Sequence, residues 1–368
     1  MSDDSPHGVH STPSSNSELL GHQGAERLLR QAFESSRLHH AWMISGPRGI
    51  GKATLAYRFA RYVLANAPTD TGLFGSNDLL DERNDLYLVP EHPVFQRVAA
   101  ASHGDLLVIE RSENERGTKR ANIVVEDVRR TQNFFHMTAG EGGWRIVIVD
   151  SADEMNVNAA NALLKVLEEP PPRALLLLVS HNPGQLLPTI RSRCQKIRLE
   201  PLAAVEVMDC LSKHAPSASI EKLQTITALA DGSIGRALNF FESDAISVFS
   251  EIMTLFEGAP QIDGNELHVL AAKCGGKKGA DTFAVADEMI RWILVRTIKY
   301  ASGYEASDFT DQERALYGRL RDSASLDQWL EVWEKVDHLL ASTNRINLDR
   351  KQVILNIFSC VSQAARSC

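Results

Sequence analysis

With 368 residues the chain is long enough for two or three domains, and its 43% hydrophobic and 23% charged content fits a globular protein. The net charge of −8 argues against a stand-alone nucleic-acid binder, because phosphate contacts need a basic surface. No apolar run reaches the ~18 residues of a membrane span, the N-terminus lacks an apolar signal core, and five scattered cysteines form no CxxC pair. A reduced cytoplasmic setting without structural zinc is the expectation.

Residues 1–17 are rich in Ser, Pro, Asp and His and read as an unstructured tail. His7 and His10 lie there without the fixed geometry that a metal site needs. Residues 18–36 read as an amphipathic helix with Leu28, Leu29 and Phe33 as its apolar face. The short strand at Ala41-Trp42-Met43-Ile44 runs into Gly46-Pro47-Arg48-Gly49-Ile50-Gly51-Lys52-Ala53-Thr54 and then a helix through Ala65, with Leu55, Phe59, Tyr62 and Val63 inward. Strand, glycine-rich loop and helix are the context of a P-loop, in which Gly46, Gly49 and Gly51 let backbone N–H groups wrap a phosphate. Lys52 reaches the outer phosphates in such a loop. The motif then calls for Ser or Thr as a Mg²⁺ ligand, and this chain has Ala53. Thr54 is no substitute, since the next helical residue is turned by about 100°.

Residues 66–93 are polar and rich in turn signals, and Asp105–Ile109 is a second apolar strand. Residues 110–122 read as an exposed loop, and 126–137 as a helix with Arg129 and Arg130 on its solvated face. Ile146-Val147-Ile148-Val149 has the continuous apolar character of a strand buried on both faces, and it closes on Asp150. Asp150 is either the Mg²⁺-holding carboxylate of a Walker B element or the cap of the next turn. The carboxylate that orients the attacking water in such ATPases has no counterpart in Ser151, and Asp153 and Glu154 have no assigned role. A helix over 156–169 stops at Pro170-Pro171-Pro172. The apolar strand 174–179 leads to Ser180-His181-Asn182, placed beside the P-loop side of the sheet, and a last strand covers 195–199.

From Pro201 only helices are expected: 205–214, 220–230 and 235–241 as a three-helix unit, then 245–257, 280–300, 326–341 and 349–365. The stripe Phe283, Val285, Ile290, Ile293, Leu294 reads as a bundle core, with partner binding as the alternative. Lys273, Lys277 and Lys278 read as loop residues beside glycines.

The segment Asn161-Ala-Leu-Leu-Lys-Val-Leu-Glu-Glu-Pro-Pro171, together with Ser192-Arg193-Cys194, resembles the bacterial clamp-loader AAA+ subunits. The P-loop region and the stretch from Gly142 to Asn156 most resemble their delta-prime type. The resemblance is strong over residues 18–243 and looser beyond. It implies an α/β nucleotide-binding domain with a parallel sheet at 18–200, a helical lid at 201–243 and a helical collar for oligomerisation at 244–368. It implies ATP or ADP as ligand, delta and gamma or tau subunits as partners in a hetero-oligomer, and loading of a sliding clamp onto primed DNA within the DNA polymerase III holoenzyme. It also implies that Arg193 serves in trans, as an arginine finger in the ATP site of the next subunit.

Two departures shape the functional expectation. Many relatives carry four zinc-binding cysteines before the Walker B strand, and this chain has no cysteine before Cys194. Gamma-type lids present arginine in a Gly-Ser-Leu-Arg pattern, whereas Gly232-Ser233-Ile234-Gly235 stands here, with Arg236 one position late. Ala53 and Ser151 favour a subunit that completes a neighbour's site without hydrolysing ATP. The alternatives are an active gamma/tau-type ATPase and a P-loop interaction module outside replication.

Overall fold

Five parallel strands are hydrogen-bonded in the order β2-β3-β4-β1-β5: β1 (Ala41–Ser45), β2 (Leu106–Ile109), β3 (Arg145–Val149), β4 (Ala174–Ser180) and β5 (Gln195–Arg198). The computed structural model describes residues 12–35, 37–66, 86–113, 119–137, 143–276, 279–304, 311–346 and 348–366. Expectations for His7, His10, residues 67–85, Lys277, Lys278 and Asn347 lie outside them. The chain divides into two compact units, Met1–Cys210 with Asp231–Arg236, and Leu211–Ala230 with Ala237–Cys368.

In the first unit β1, β3 and β4 are buried along their whole length, as their unbroken apolar runs require. Successive side chains alternate between two cores. Met43, Val147, Val149, Leu176 and Leu178 pack with Val128 of α4 (Val125–His136), Leu163 and Leu167 of α5 (Val157–Glu168) and Ile190 of α6 (Pro188–Ser192). Ile44, Ile146, Ile148, Leu175 and Leu177 pack on the other face with Leu29 of α1 (Gln23–Glu34) and Leu55, Phe59 and Val63 of α2 (Lys52–Ala65). A short helix α3 spans Pro93–Ala99.

Two expectations change in this unit. Leu28 is 48% exposed, so the face of α1 that packs inward is Leu29 with Ala25, Ala32 and Phe33. Position 28 is one residue, about 100°, off that line. Residues 12–17, expected as tail, are tied to α2: Arg61 donates to the carbonyls of Ser14 (2.8 Å) and Asn16 (2.6 Å), and Arg58 donates to that of Ser17.

Beyond the sheet come α7 (Ala204–His214), α8 (Ile220–Ala230) and α9 (Ile234–Glu242). The second unit continues with α10 (Ala245–Glu257), α11 (Gly264–Cys274), α12 (Ala280–Ala301), α13 (Asp311–Ser323), α14 (Leu326–Ile346) and α15 (Arg350–Ala364). The α12 stripe Phe283, Val285, Ile290, Ile293 and Leu294 is buried, as a bundle core requires. Phe256 meets Phe358 edge-on at 5.4 Å. Two of these helices escape the periodicity. In α11 the Asp263 side chain caps Asn265 and Glu266, and Lys273 lies in its last turn, paired with Glu251 at 2.6 Å, so it is not a loop residue. In α13 a mostly polar segment buries Leu316, Tyr317 and Leu320 and pairs Glu313 with Arg296 at 3.3 Å.

Candidate functional site

The strand order decides which groups meet. β4 lies between β1, which carries the P-loop, and β3, which ends at Asp150, so Ser180 and His181 stand between the two motifs at the carboxyl edge. The loop glycines Gly46, Gly49 and Gly51 have φ of 146°, 74° and 101°, a region open to glycine and strained for other residues. Gly49 is also approached by the start of α9: Gly235 N–H donates to its carbonyl at 2.8 Å. A Cβ on Gly235 would lie 2.9 Å from Gly49 Cα, and one on Gly49 would lie 2.3 Å from Ser233 Oγ. The position where the gamma-type pattern has arginine is therefore filled by a glycine in backbone contact with the P-loop.

Lys52 is 3% exposed and donates its amine to the Pro47 carbonyl of its own loop. Burial lowers its pKa to about 8, against the raising effect of Asp153 and Asp150. Ala53 is half-buried and carries no hydroxyl, while Thr54 is turned into the interior at 8% exposure. Asp150 has its pKa raised by burial and then by the Glu110 and Glu154 carboxylates, with Lys52 opposing.

The residues after Asp150 have structural partners. Ser151 sits at φ 62° with Oγ 3.0 Å from His181 Nε2. His181 is pushed down to about 4 by burial and by the charges of Lys52 and Arg48, with Asp153 opposing, so its ring is neutral at pH 7. The Asp153 carboxylate accepts the backbone N–H groups of His181 (2.9 Å) and Asn182 (3.2 Å). Glu154 is held between Arg48 at 3.0 Å and Arg111 at 2.9 Å. Both acids that the sequence left without a role thus have protein partners. Strand order was needed to find these partnerships; only the polarity of residues 180–182 hinted at them. The hydroxyl that a P-loop offers to Mg²⁺ directly after its lysine is missing at Ala53. The loop retains the anion-cradling features, its glycines and Lys52.

Arg193 is elsewhere. It ends α6, just before β5, and β5 runs parallel to β1 with Gln195 opposite Trp42. Arg193 is therefore at the amino edge of the sheet, separated from its own P-loop by about 13 Å of strand. Its side chain is 36% exposed; Nη1 donates to the Thr189 carbonyl at 3.0 Å and Nη2 meets Glu168 Oε1 at 2.9 Å. Glu200, further along the same edge segment, is paired with Arg198 at 3.0 Å.

Residues 21–203 match the family model described as DNA polymerase III, delta subunit. The chain belongs to the DNA polymerase III clamp-loader family. Among clamp-loader relatives, DNA polymerase III subunit delta' of Pseudomonas aeruginosa is 38% identical over 53% of this chain and 53% of its own length. Subunit delta' of Escherichia coli is 31% identical over 58% of each chain. Subunit tau of Bacillus subtilis is 24% identical over 74% of this chain and 46% of its own length. The chain thus spans about half the length of the curated relatives it matches. Among the described residues no group of three or more His, Cys, Asp or Glu side chains is placed to hold a metal. No described helix is long and apolar enough to cross a membrane.

Proposed function

We propose that this chain is a delta-prime-like subunit of a clamp loader, acting with delta and gamma or tau subunits to load a sliding clamp onto primed DNA. It does not hydrolyse ATP itself. Its Arg193 enters the ATP site of a neighbouring gamma or tau subunit. The observation that carries this reading is a separation: a P-loop without its Mg²⁺ hydroxyl at one edge of the sheet, and a half-exposed, oriented arginine at the opposite edge. An arginine so placed is out of reach of its own P-loop and available to another subunit. The phosphoryl-transfer transition state spreads negative charge over the γ-phosphate oxygens, and a planar guanidinium supplied from outside stabilises it. Residues 201–243 serve as lid and 244–368 as collar in this reading.

The purified chain is expected to show no ATPase activity above background, with or without primed DNA. A turnover abolished by Lys52→Ala would instead identify an active gamma/tau-type ATPase. In the reconstituted complex Arg193→Ala leaves assembly intact by gel filtration and removes hydrolysis at the neighbour's site, where such fingers are worth ~10³ or more in rate. The loss in bulk ATPase is smaller, because other sites keep their own arginines, and lysine rescues poorly for want of the planar fork. Wild-type clamp loading by an intact Arg193→Ala complex would remove Arg193 from the mechanism.

A further inference from the structure

Arg193 does not stand alone at its edge. Its guanidinium has two fixed partners on one side, the Thr189 carbonyl one turn back in α6 and the Glu168 carboxylate from α5. Two different terminal nitrogens are engaged, so the plane of the fork is set as well as its position. The spacing between the two helices is itself fixed. Leu163 and Leu167 of α5 share one apolar core with Ile190 and Cys194, which flank Arg193 in the chain, and all four are buried.

The end of α5 suits this task. The helix stops at Glu168, with Glu169 as its cap and Pro170 barring continuation. A helix C-terminus carries partial negative charge from its unpaired carbonyls. Glu168 and Glu169 add formal negative charge where the helix disfavours it, so a cation nearby is stabilising. Arg193 is the cation that meets Glu168. The carboxylate therefore draws the guanidinium to a defined place.

We infer that Glu168 is a positioning residue for Arg193, holding the finger in the orientation that the neighbour's nucleotide requires. This rests on the finger reading above. Glu168 touches no reacting atom; it acts through Arg193 by restricting a long side chain that would otherwise sample many rotamers.

The test uses the reconstituted complex with clamp and primed DNA, comparing kcat and KM for ATP among Glu168→Ala, Glu168→Gln, Arg193→Ala and the Glu168→Ala/Arg193→Ala double variant. Exposed ion pairs of this kind are worth roughly 0.2–1 kcal/mol, so Glu168→Ala should lower the Arg193-dependent hydrolysis by about 1.4- to 5-fold. The loss is in kcat at unchanged KM. Glu168→Gln, which keeps an accepting oxygen of the same reach, restores part of it and carries the test should the alanine variant assemble poorly. In the Arg193→Ala background Glu168→Ala has no further effect. Full kcat in Glu168→Ala, with Arg193→Ala still impaired, would overturn the positioning role and leave the finger standing. An additive loss in the double variant would overturn it too, because Glu168 would then act by another route. Unchanged kcat in Arg193→Ala would reject the finger reading itself, and the positioning role with it.

Discussion

Lys52 keeps its charge in a place with little water. Its pKa of about 8 lies below the ordinary 10.5, because burial opposes the ammonium more than Asp153 and Asp150 support it. Between those two values the unfolded chain binds more protons than the folded one, so stability rises with pH across that window. The shift corresponds to about 3 kcal/mol, present as a penalty below pH 8 and relieved towards 10.5. Lys52→Met should therefore stabilise the chain near pH 7 and flatten its unfolding free energy between pH 8 and 10.5 relative to wild type, as read by urea titration. Parallel pH profiles for the two proteins would mean that the amine is better solvated than its 3% exposure implies. The same charge helps to keep His181 neutral, which is why the Ser151–His181 contact is one between uncharged groups at pH 7.

At the scale of elements, α1 is fastened to α2 by a buried ion pair. Glu26 and Arg58 are 2% and 3% exposed and meet at 2.6 Å. Phe33 packs edge-on against Tyr62 at 5.8 Å in the same contact. Removing one member of such a pair strands the other charge, typically at a cost of ~3–5 kcal/mol, whereas replacing both by apolar groups is often neutral. Arg58→Met should fall in that range, with an added loss from the freed Ser17 carbonyl. The double variant Glu26→Leu/Arg58→Met should recover most of it. Simple additivity of the two single effects in urea unfolding would show that the pair is not coupled. The anchoring of residues 12–17 depends on the same helix, through Arg61, whose guanidinium also stacks on Phe95 at 4.3 Å. Polar composition suggested a tail there; two buried arginines on a neighbouring helix give its backbone carbonyls partners.

For the whole molecule, charge and metal content bear on how the chain works. A net charge of −8 gives the chain no overall electrostatic attraction for DNA, which fits the proposal that primed DNA is engaged by an assembly rather than by this chain alone. The cysteines available for a zinc module are missing from the region that precedes Cys194, and the two histidines best placed to replace them have other work. His92 Nδ1 accepts from Val94 N–H at 3.1 Å as the cap of α3, and His103 Nδ1 accepts from Asp105 N–H at 3.2 Å. Elemental analysis of the purified chain should find no stoichiometric zinc. One zinc per chain, lost together with α3 on His92→Ala, would reverse that assignment.

Local chemistry made much of this protein legible in its sequence. Unbroken apolar runs marked β1, β3 and β4, because a strand covered on both faces has no polar side. The G-x-x-x-x-G-K spacing marked the glycine loop between β1 and α2, and the positive φ of Gly46, Gly49 and Gly51 agrees with it. The absent hydroxyl at Ala53 and the Ser-Arg-Cys triplet were equally plain. Other features arose only from tertiary structure. Strand order put β4 between the two nucleotide motifs and so brought Ser151 to His181 and Asp153 to the end of β4. Parallel pairing of β1 with β5 put Arg193 at the edge away from its own P-loop. Packing of α5 on α6 gave Arg193 to Glu168, while Arg198 took Glu200. The close approach of α9 to the glycine loop required glycine at 235. Each of these depends on which distant segments become neighbours, and that choice is made by long-range pairing and core packing, which leave no period or motif in the local sequence.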